Sequence, residues 1–232
     1  MKLSTAARRA LMRTPSHLIR AMQSSLETET LVPGIDYSVL HEVSVRAAIV
    51  QQFQEQEGLT VDCHPGSATF AALWSCNKPT EQDFLRAADN AADETGTIYQ
   101  LGRGGFGWFE LEFSDASDCS GYVAHCLGLS RKPNPAFPRW FSTDSIWSDA
   151  SGENRLFRLV EPDTPNSIVV YPDYRARGKQ RQGHVGIHIA DGQGYDCSSS
   201  MYRKHGDAIR KRDLGFFKKK ARTVWCRPKW WE

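Results

Sequence analysis

The sequence predicts an α+β protein, with helices in its N-terminal third and a mixture of helices and strands in the rest. Apolar residues recur at helical spacing over much of the first 95 residues, which is typical of amphipathic helices. Short β-branched or aromatic segments bounded by Gly, Pro or Asp appear later and indicate strands. With 232 residues, the chain is long enough for one or two domains. We therefore expect a helical region over 1–95 and a second domain over 96–232.

The N-terminal helices are predicted from apolar periodicity and from residues that favour helix ends. A helix N-cap is favoured by Ser, Thr, Asp or Asn, and acidic residues favour the first turn. The predicted helices are a basic amphipathic segment over 3–26 with a break at Pro15, a helix over 39–57, a short helix that begins near Ser67 or Thr69, and a helix over 81–93 with Thr80 as its N-cap.

The second part of the chain has a different pattern. An apolar helix is expected over 123–129, and the proline-rich segment 130–152 is expected to form an irregular loop. Strands are predicted over 167–172, 184–190 and 223–228, where β-branched and aromatic residues are bounded by turn residues.

Charge is nearly balanced overall but uneven along the chain. The sequence holds 29 Lys/Arg and 27 Asp/Glu, a net charge of +2. Residues 201–232 contain 11 basic and three acidic residues and therefore carry +8. Two interpretations remain open: a solvated face of the last helix and strand, or a surface that holds an anionic polymer.

Composition excludes several classes of protein. No apolar run approaches the roughly 20 residues of a membrane helix. The six cysteines show no CxxC pair with zinc spacing, so no structural metal site is expected. A disulfide between Cys63 and Cys76 remains open. The basic N-terminus lacks the apolar core of a standard secretory signal, so we expect a cytoplasmic location in the producing cell and a non-classical route to any outside target.

The motif with the clearest chemistry is Asp118-Cys119-Ser120-Gly121, directly before the apolar helix. A cysteine in the first turn lies among unpaired backbone N–H groups, at the positive end of the helix dipole. Both effects favour the nucleophilic thiolate of Cys119. The same N–H groups are suited to an oxyanion, and Gly121 is expected to leave room for a substrate backbone.

A histidine and an aspartate complete the expected constellation. His184 begins a predicted strand and is suited to act as the base for Cys119. Asp191-Gly192 is a hairpin signal, and Asp196 follows on the next strand. Asp196 holds the far ring nitrogen of His184 if the hairpin register places both side chains on one face. Each residue alone is typical of ordinary structure, but the three together predict a nucleophilic cysteine site.

The segments DCSGYV, SIVVYP, GHVGIHIADGQGYDCSSS and TVWCRP resemble the NlpC-type cell-wall peptidases, a papain-like group, over roughly residues 97–228. The resemblance implies a helix that carries the cysteine, packed on a small antiparallel sheet. It also implies Cys119 as nucleophile, His184 as base and Asp196 as the third polar residue. Tyr99, before a glycine pair, is similar to the family's tyrosine that positions substrate and oxyanion, with Ser120 and Gly121 beside the nucleophile. Tyr99 lies farther from Cys119 than is usual in the family.

A second resemblance covers about residues 39–76. Residues that match a small helical peptidoglycan-binding module are Gly58, Leu59, Val61, Asp62, Gly66 and Thr69. Cys63 replaces the glycine of the module's pattern. The alternative is a helical subdomain that only packs on the catalytic domain.

These resemblances imply a cysteine peptidase or amidase that hydrolyses amide bonds in peptidoglycan stem peptides, acting as a lysin or a delivered antibacterial toxin. No metal or cofactor is expected. The expected partners are peptidoglycan or muropeptides, together with a secretion apparatus or an immunity protein, and neither nucleic acid nor a membrane span is expected. Two alternatives remain open: a papain-like acyltransferase or deamidase acting on a protein or lipid, and a non-catalytic wall-binding protein.

Overall fold

The computed structural model describes residues 3–14, 16–26, 36, 42–94, 96–104, 116–133, 137–153 and 155–231. The chain divides into two compact units, with the boundary between Lys78 and Pro79. Helices of the first unit are α1 (Thr5–Arg13), α2 (Ser16–Ser25), α3 (Val43–Gln56) and α4 (Ser67–Cys76). Helices of the second unit are α5 (Glu81–Asp93), α6 (Cys119–Cys126), α7 (Thr143–Ser148) and α8 (Ser199–His205), with a π-helical turn at Asp149–Glu153 and a 3-10 helix at Gly215–Lys219.

All the strands of the described residues lie in the second unit. They are β1 (Ile98–Tyr99), β2 (Ala116–Ser117), β3 (Phe157–Val160), β4 (Ser167–Tyr171), β5 (Tyr174–Ala176), β6 (Lys179–Arg181), β7 (His184–Ala190), β8 (Gln193–Cys197), β9 (Ile209–Asp213) and β10 (Val224–Pro228). Six strands form an antiparallel sheet in the order β3-β10-β4-β7-β8-β9, β1 pairs with β2 in parallel, and β5 pairs with β6 as a hairpin.

In the first unit, α1 and α2 pack on α3, and α2 also contacts α4. Buried Arg46 on α3 donates to the carbonyls of Leu11 and Thr14 at 2.8 and 2.6 Å, which satisfies carbonyls at the end of α1. Gln54 accepts from the backbone N–H of Cys63 at 3.0 Å and thereby holds the loop before α4. Cys63 has φ 54°, a left-handed conformation that favours glycine.

Helix α5 lies in the second unit, whereas the sequence analysis placed it in the N-terminal region. Its start is the predicted one: the Thr80 hydroxyl accepts from the Asp83 N–H at 3.2 Å, and the Asp83 carboxylate accepts from the Thr80 N–H at 3.1 Å. Helix α5 packs against α6, which places it with the sheet domain.

Helix α6 packs against β7 and β8, in the middle of the antiparallel sheet. Every residue of α6 is buried, including Tyr122 and Val123, which explains its nearly continuous apolar sequence. A second apolar cluster contains Val169, Tyr171, Leu214, Phe217 and Trp225. Helices and an antiparallel sheet thus share one domain, and the predicted α+β class is confirmed.

Several elements differ from the sequence expectation. Helix α7 lies inside the segment 130–152 that was predicted as an irregular loop, because Ser142 and Ser145 form a capping box that the proline content masks. Strands β6 and β9 are rich in Lys and Arg and lack the apolar alternation by which strands are recognised. All six cysteines are free, including Cys63 and Cys76. Within the part of the chain that is described, no helix combines the length and apolarity of a membrane span.

Candidate active site

Cys119 is the first residue of α6 and is 6% exposed. Strand β2 leads into it, and β1 pairs with β2 so that Tyr99 lies opposite Ser117. This pairing brings the Tyr99 segment to the start of the helix. The first turn of a helix has N–H groups without intrahelical acceptors, and Cys119 lies among them.

Asp118 is the N-cap of α6 and the centre of a buried polar network. Its Oδ1 accepts from the N–H of Gly121 at 2.8 Å and from the Ser120 hydroxyl at 3.0 Å, and its Oδ2 accepts from the N–H of Gly102 at 2.6 Å. Arg131 forms a buried ion pair with the same carboxylate and donates to the carbonyl of Arg103 at 2.7 Å. The network therefore fixes the backbone on both sides of Cys119.

Ser120 and Gly121 both take part in this network, and Ser120 also lines an open cleft beside Cys119. The Ser120 hydroxyl donates to Asp118 and accepts from Nη2 of Arg131 at 3.1 Å. A Cβ on Gly121 would lie 1.9 Å from the carbonyl oxygen of Arg103. The space beside Gly121 is therefore filled by protein backbone and leaves no room for a substrate there.

His184 begins β7, and the observed register places Asp196 on its face of the sheet. Gly186 pairs directly with Asp196 across β7 and β8. Directly paired residues project to the same face, as do residues two apart along a strand, so His184 shares this face with Asp196. The Nε2 of His184 lies 2.7 Å from Oδ2 of Asp196. The hairpin register therefore places His184 and Asp196 on one face of the sheet, as the predicted pair requires.

Cys119 and Asp196 contact the imidazole of His184 together. Cys119 lies close enough to the imidazole to raise the pKa of His184. Because Nε2 faces a carboxylate, which only accepts, Nε2 carries a proton and Nδ1 is left for the sulfur. The structure thus brings together the three residues that the sequence singled out as nucleophile, base and third member.

The electrostatic environment favours a charged His184. Burial lowers the pKa of the imidazole, but the negative charge of Cys119 and the hydrogen bonds to Asp196 and Cys119 outweigh burial and raise it to about 10.

The five other thiols are in a different environment. Burial, the largest cause in each case, raises the pKa of each of them above its ordinary value, and neighbouring acidic groups add to this effect at several positions. They are Cys63, Cys76, Cys126, Cys197 and Cys226. Their thiols are expected to be poor nucleophiles at neutral pH.

A ring of aromatic side chains surrounds His184. Phe217 is nearly parallel to the imidazole, with ring centroids 5.6 Å apart, and Phe216 and Tyr171 lie at 6.0 and 6.4 Å. These rings pack against the imidazole and restrict its orientation.

A cleft of about 230 Å³ opens beside Cys119. Tyr99 and Cys119 both line it, together with Trp140, which is 45% exposed. Burial first, and then the nearby Cys119, raise the pKa of the Tyr99 hydroxyl, so it stays protonated and able to donate a hydrogen bond. Asp144 and Asp173 also line the cleft and give that part of it a negative charge.

Sequence reasoning missed two arginines of the site. Arg131 pairs with Asp118, and Arg212 donates from Nη2 to Oδ2 of Asp196 at 2.9 Å. Arg212 lies on β9, whose charged sequence does not predict a strand. Arg131 lies in the segment 130–152, which the sequence predicts as an irregular loop. No local pattern could have located them, because both contacts depend on tertiary structure.

Two solved structures are similar to part of this chain. NlpC2 from Trichomonas vaginalis is 18% identical, with a TM-score of 0.36, over 63% of this chain and 44% of that chain. NlpC1 from the same organism is 20% identical, with a TM-score of 0.37, over 62% of this chain and 45% of that chain. The chain thus spans less than half of either protein. No family model and no curated protein sequence matches it.

Proposed function

We propose that the protein is a papain-like cysteine hydrolase that cleaves amide bonds in the stem peptides of bacterial peptidoglycan. The observation that carries the proposal is the hydrogen bond between His184 and Asp196, with Cys119 close to the same imidazole and beside an open cleft. A thiol, an imidazole and a carboxylate in this order form a catalytic triad, which activates a nucleophile for acyl transfer.

In the first half of the reaction, the Cys119 thiolate attacks the amide carbonyl and forms a tetrahedral oxyanion. The backbone N–H of Cys119 and the Tyr99 hydroxyl are the donors that we assign to this oxygen. The imidazolium of His184 then gives its proton to the leaving nitrogen, the C–N bond breaks, and a thioester on Cys119 remains. Asp196 holds the ring through Nε2 during this transfer.

In the second half, water attacks the thioester while the neutral His184 takes a proton from it. The C–S bond breaks, the carboxylic acid leaves, and the thiolate–imidazolium pair of Cys119 and His184 forms again. The aromatic ring of Phe217 stacked on His184 keeps the base aimed at the sulfur in both halves.

The charge of the cleft supports a peptide that carries an amine. Asp144 and Asp173 supply two carboxylates, and the nearby Arg131 is buried and paired with Asp118. An ammonium group, such as that of the diamino acid in stem peptides, complements this charge. Exposed Trp140 offers an apolar surface at the same cleft.

Digestion of purified muropeptides under reducing conditions tests the proposal. Mass spectrometry should show stem peptides that have gained one water and split at an amide bond. Acetylation of the free amine of the diamino acid should slow the cleavage, since it removes the cation. Intact muropeptides would overturn the proposal, and a modified protein or lipid in their place would favour an acyltransferase or deamidase.

We also propose that a basic surface holds the anionic wall. In the predicted basic tail, Lys218 pairs with Asp163, and Lys220 lies 3.1 Å from the Tyr174 hydroxyl, so both lysines have structural contacts. The hairpin of β5 and β6 has cations that form no ion pair within the described ranges. These exposed residues are Arg175, Arg177, Lys179 and Arg181. The hairpin is next to the cleft, because Asp173 and Gln182 line it.

Substitution of the four hairpin cations by Gln should reduce the fraction of protein that pellets with isolated bacterial walls at low salt. Added salt should reduce the pelleting of the native protein in the same way, because salt screens exposed charges. The matched control changes Lys204 and Lys229, exposed lysines elsewhere in this unit, and should pellet like the native protein. Equal pelleting of all three proteins would contradict the role of the hairpin.

The raised pKa of His184 also predicts how stability depends on pH. A folded-state pKa of about 10, above the ordinary 6.5, stabilises the fold fully below pH 6.5, and this stabilisation is lost as the pH rises through about 10. The difference in unfolding free energy between the native protein and His184→Gln should therefore shrink from pH 6.5 to 10. Denaturant titrations at several pH values measure it, and a constant difference would contradict the charged pair.

A further inference from the structure

Arg212 contacts the site from the strand beyond Asp196. Strand β9 pairs with β8 so that Arg212 lies opposite Gly194, two residues from Asp196 and on the same face. Its Nη2 lies 2.9 Å from Oδ2 of Asp196, the same oxygen that His184 contacts at 2.7 Å. Two cationic groups thus converge on one carboxylate oxygen.

The burial of Asp196 makes this second cation important. The Asp196 side chain is 0% exposed, and its Oδ1 has no hydrogen-bond partner among the described residues. A buried carboxylate is costly unless a cation pairs with it. His184 provides positive charge only while it is protonated, whereas an arginine is always charged. Arg212 therefore supplies the permanent partner of Asp196.

The guanidinium of Arg212 is itself held in place. It lies over the ring of Phe216, 4.6 Å from the ring centroid. Phe216 packs on Phe217, whose ring is stacked on His184. One aromatic layer thus orients both groups that bind Asp196, and the stacking suits a planar cation better than a lysine.

We propose that Arg212 is a positioning residue that keeps Asp196 charged and fixed as the acceptor for His184 throughout the reaction. The inference rests on the roles given to Cys119 and His184 in the proposed function. Its effect is largest when His184 has given its proton to the leaving nitrogen, because Arg212 is then the one cation in contact with Asp196 among the described residues.

Arg210 provides a matched control on the same strand. It pairs directly with Asp196 in the sheet register and carries the same charge, but it is exposed and forms no ion pair in the described part of the chain. A general effect of removing positive charge near the site would appear in both Arg210→Gln and Arg212→Gln. A positioning role would appear in Arg212→Gln alone.

The test is the rate at which iodoacetamide alkylates Cys119 between pH 4 and 8, read by mass spectrometry of the peptide that contains Cys119. Without Arg212, Asp196 is held by His184 alone and a positive charge near the pair of Cys119 and His184 is lost. We therefore expect the acid limb of Arg212→Gln to move to higher pH and its rate at pH 6 to fall about tenfold. Arg210→Gln should match the native protein. Arg212→Lys, which keeps the charge, should stay within about threefold of it.

A native profile in Arg212→Gln, or an equal shift in Arg210→Gln, would overturn the inference. If Arg212→Gln does not fold, the alkylation rate of Arg212→Lys is the test. A tenfold lower rate at pH 6 in that variant, which keeps the positive charge, would contradict a role of the charge. Alkylation needs no substrate. Intact muropeptides together with the expected alkylation profiles would therefore overturn the proposed substrate and leave the role of Arg212 standing.

Discussion

Cys119→Ala should release no product from muropeptides, a loss of at least about 10⁴-fold, because no other group can form the thioester. Cys119 is the first residue of α6 and lines the cleft, whereas none of the other cysteines is among the lining residues of the cleft. Alanine is compatible with the first turn of a helix, so the variant should fold. Product formation measured by chromatography at matched protein concentration checks this result.

Cys126→Ala is the matched control, since Cys126 ends the same helix and is buried away from the cleft. This variant should lose some stability and keep its activity. Full activity in Cys119→Ala would show that Cys119 is not the nucleophile. An inactive native protein would instead favour a non-catalytic wall-binding role.

Arg131→Met should be the most destabilising substitution considered, with a loss of about 3–5 kcal/mol in unfolding free energy. Asp118 is 2% exposed, and Arg131 is the cation that pairs with it. Removal of Arg131 leaves a buried charge and frees the carbonyl of Arg103. Denaturant unfolding measures the loss, and activity should fall with it because Asp118 caps the helix that carries Cys119.

Arg139→Met provides the comparison, because Arg139 pairs with Glu153 at the surface. Exposed pairs of this kind contribute about 0–1 kcal/mol. The double variant Asp118→Asn with Arg131→Met should recover part of the lost stability, since it removes the unpaired charge. Equal costs for Arg131→Met and Arg139→Met would contradict the importance of the buried pair.

Sequence patterns predicted the elements whose signals are local. The helix after Thr80, the helix after Asp118 and the hairpin at Asp191-Gly192 all follow from capping or turn residues next to apolar segments. Strand β9 was missed because its alternate residues are charged on both faces. It lies at the edge of the sheet, where neither face needs to be apolar.

The sequence placed two of the candidate site residues at the ends of their elements. Cys119 at a helix start and His184 at a strand start keep these positions in the structure. Gly121 was misread because its neighbour, the carbonyl of Arg103, lies in a loop that no periodicity describes. The contact of Arg212 with Asp196 depends on a strand pairing that only the folded chain reveals.

The most direct test of the central claim compares alkylation of Cys119 by iodoacetamide at pH 6 in the native protein and in His184→Ala. In the native protein, Cys119 should react ahead of the five other thiols, whose pKa values are raised. In His184→Ala, its rate should fall about 100-fold, because the base that takes the proton of the Cys119 thiol is gone. An unchanged rate would show that Cys119 and His184 do not act as a pair.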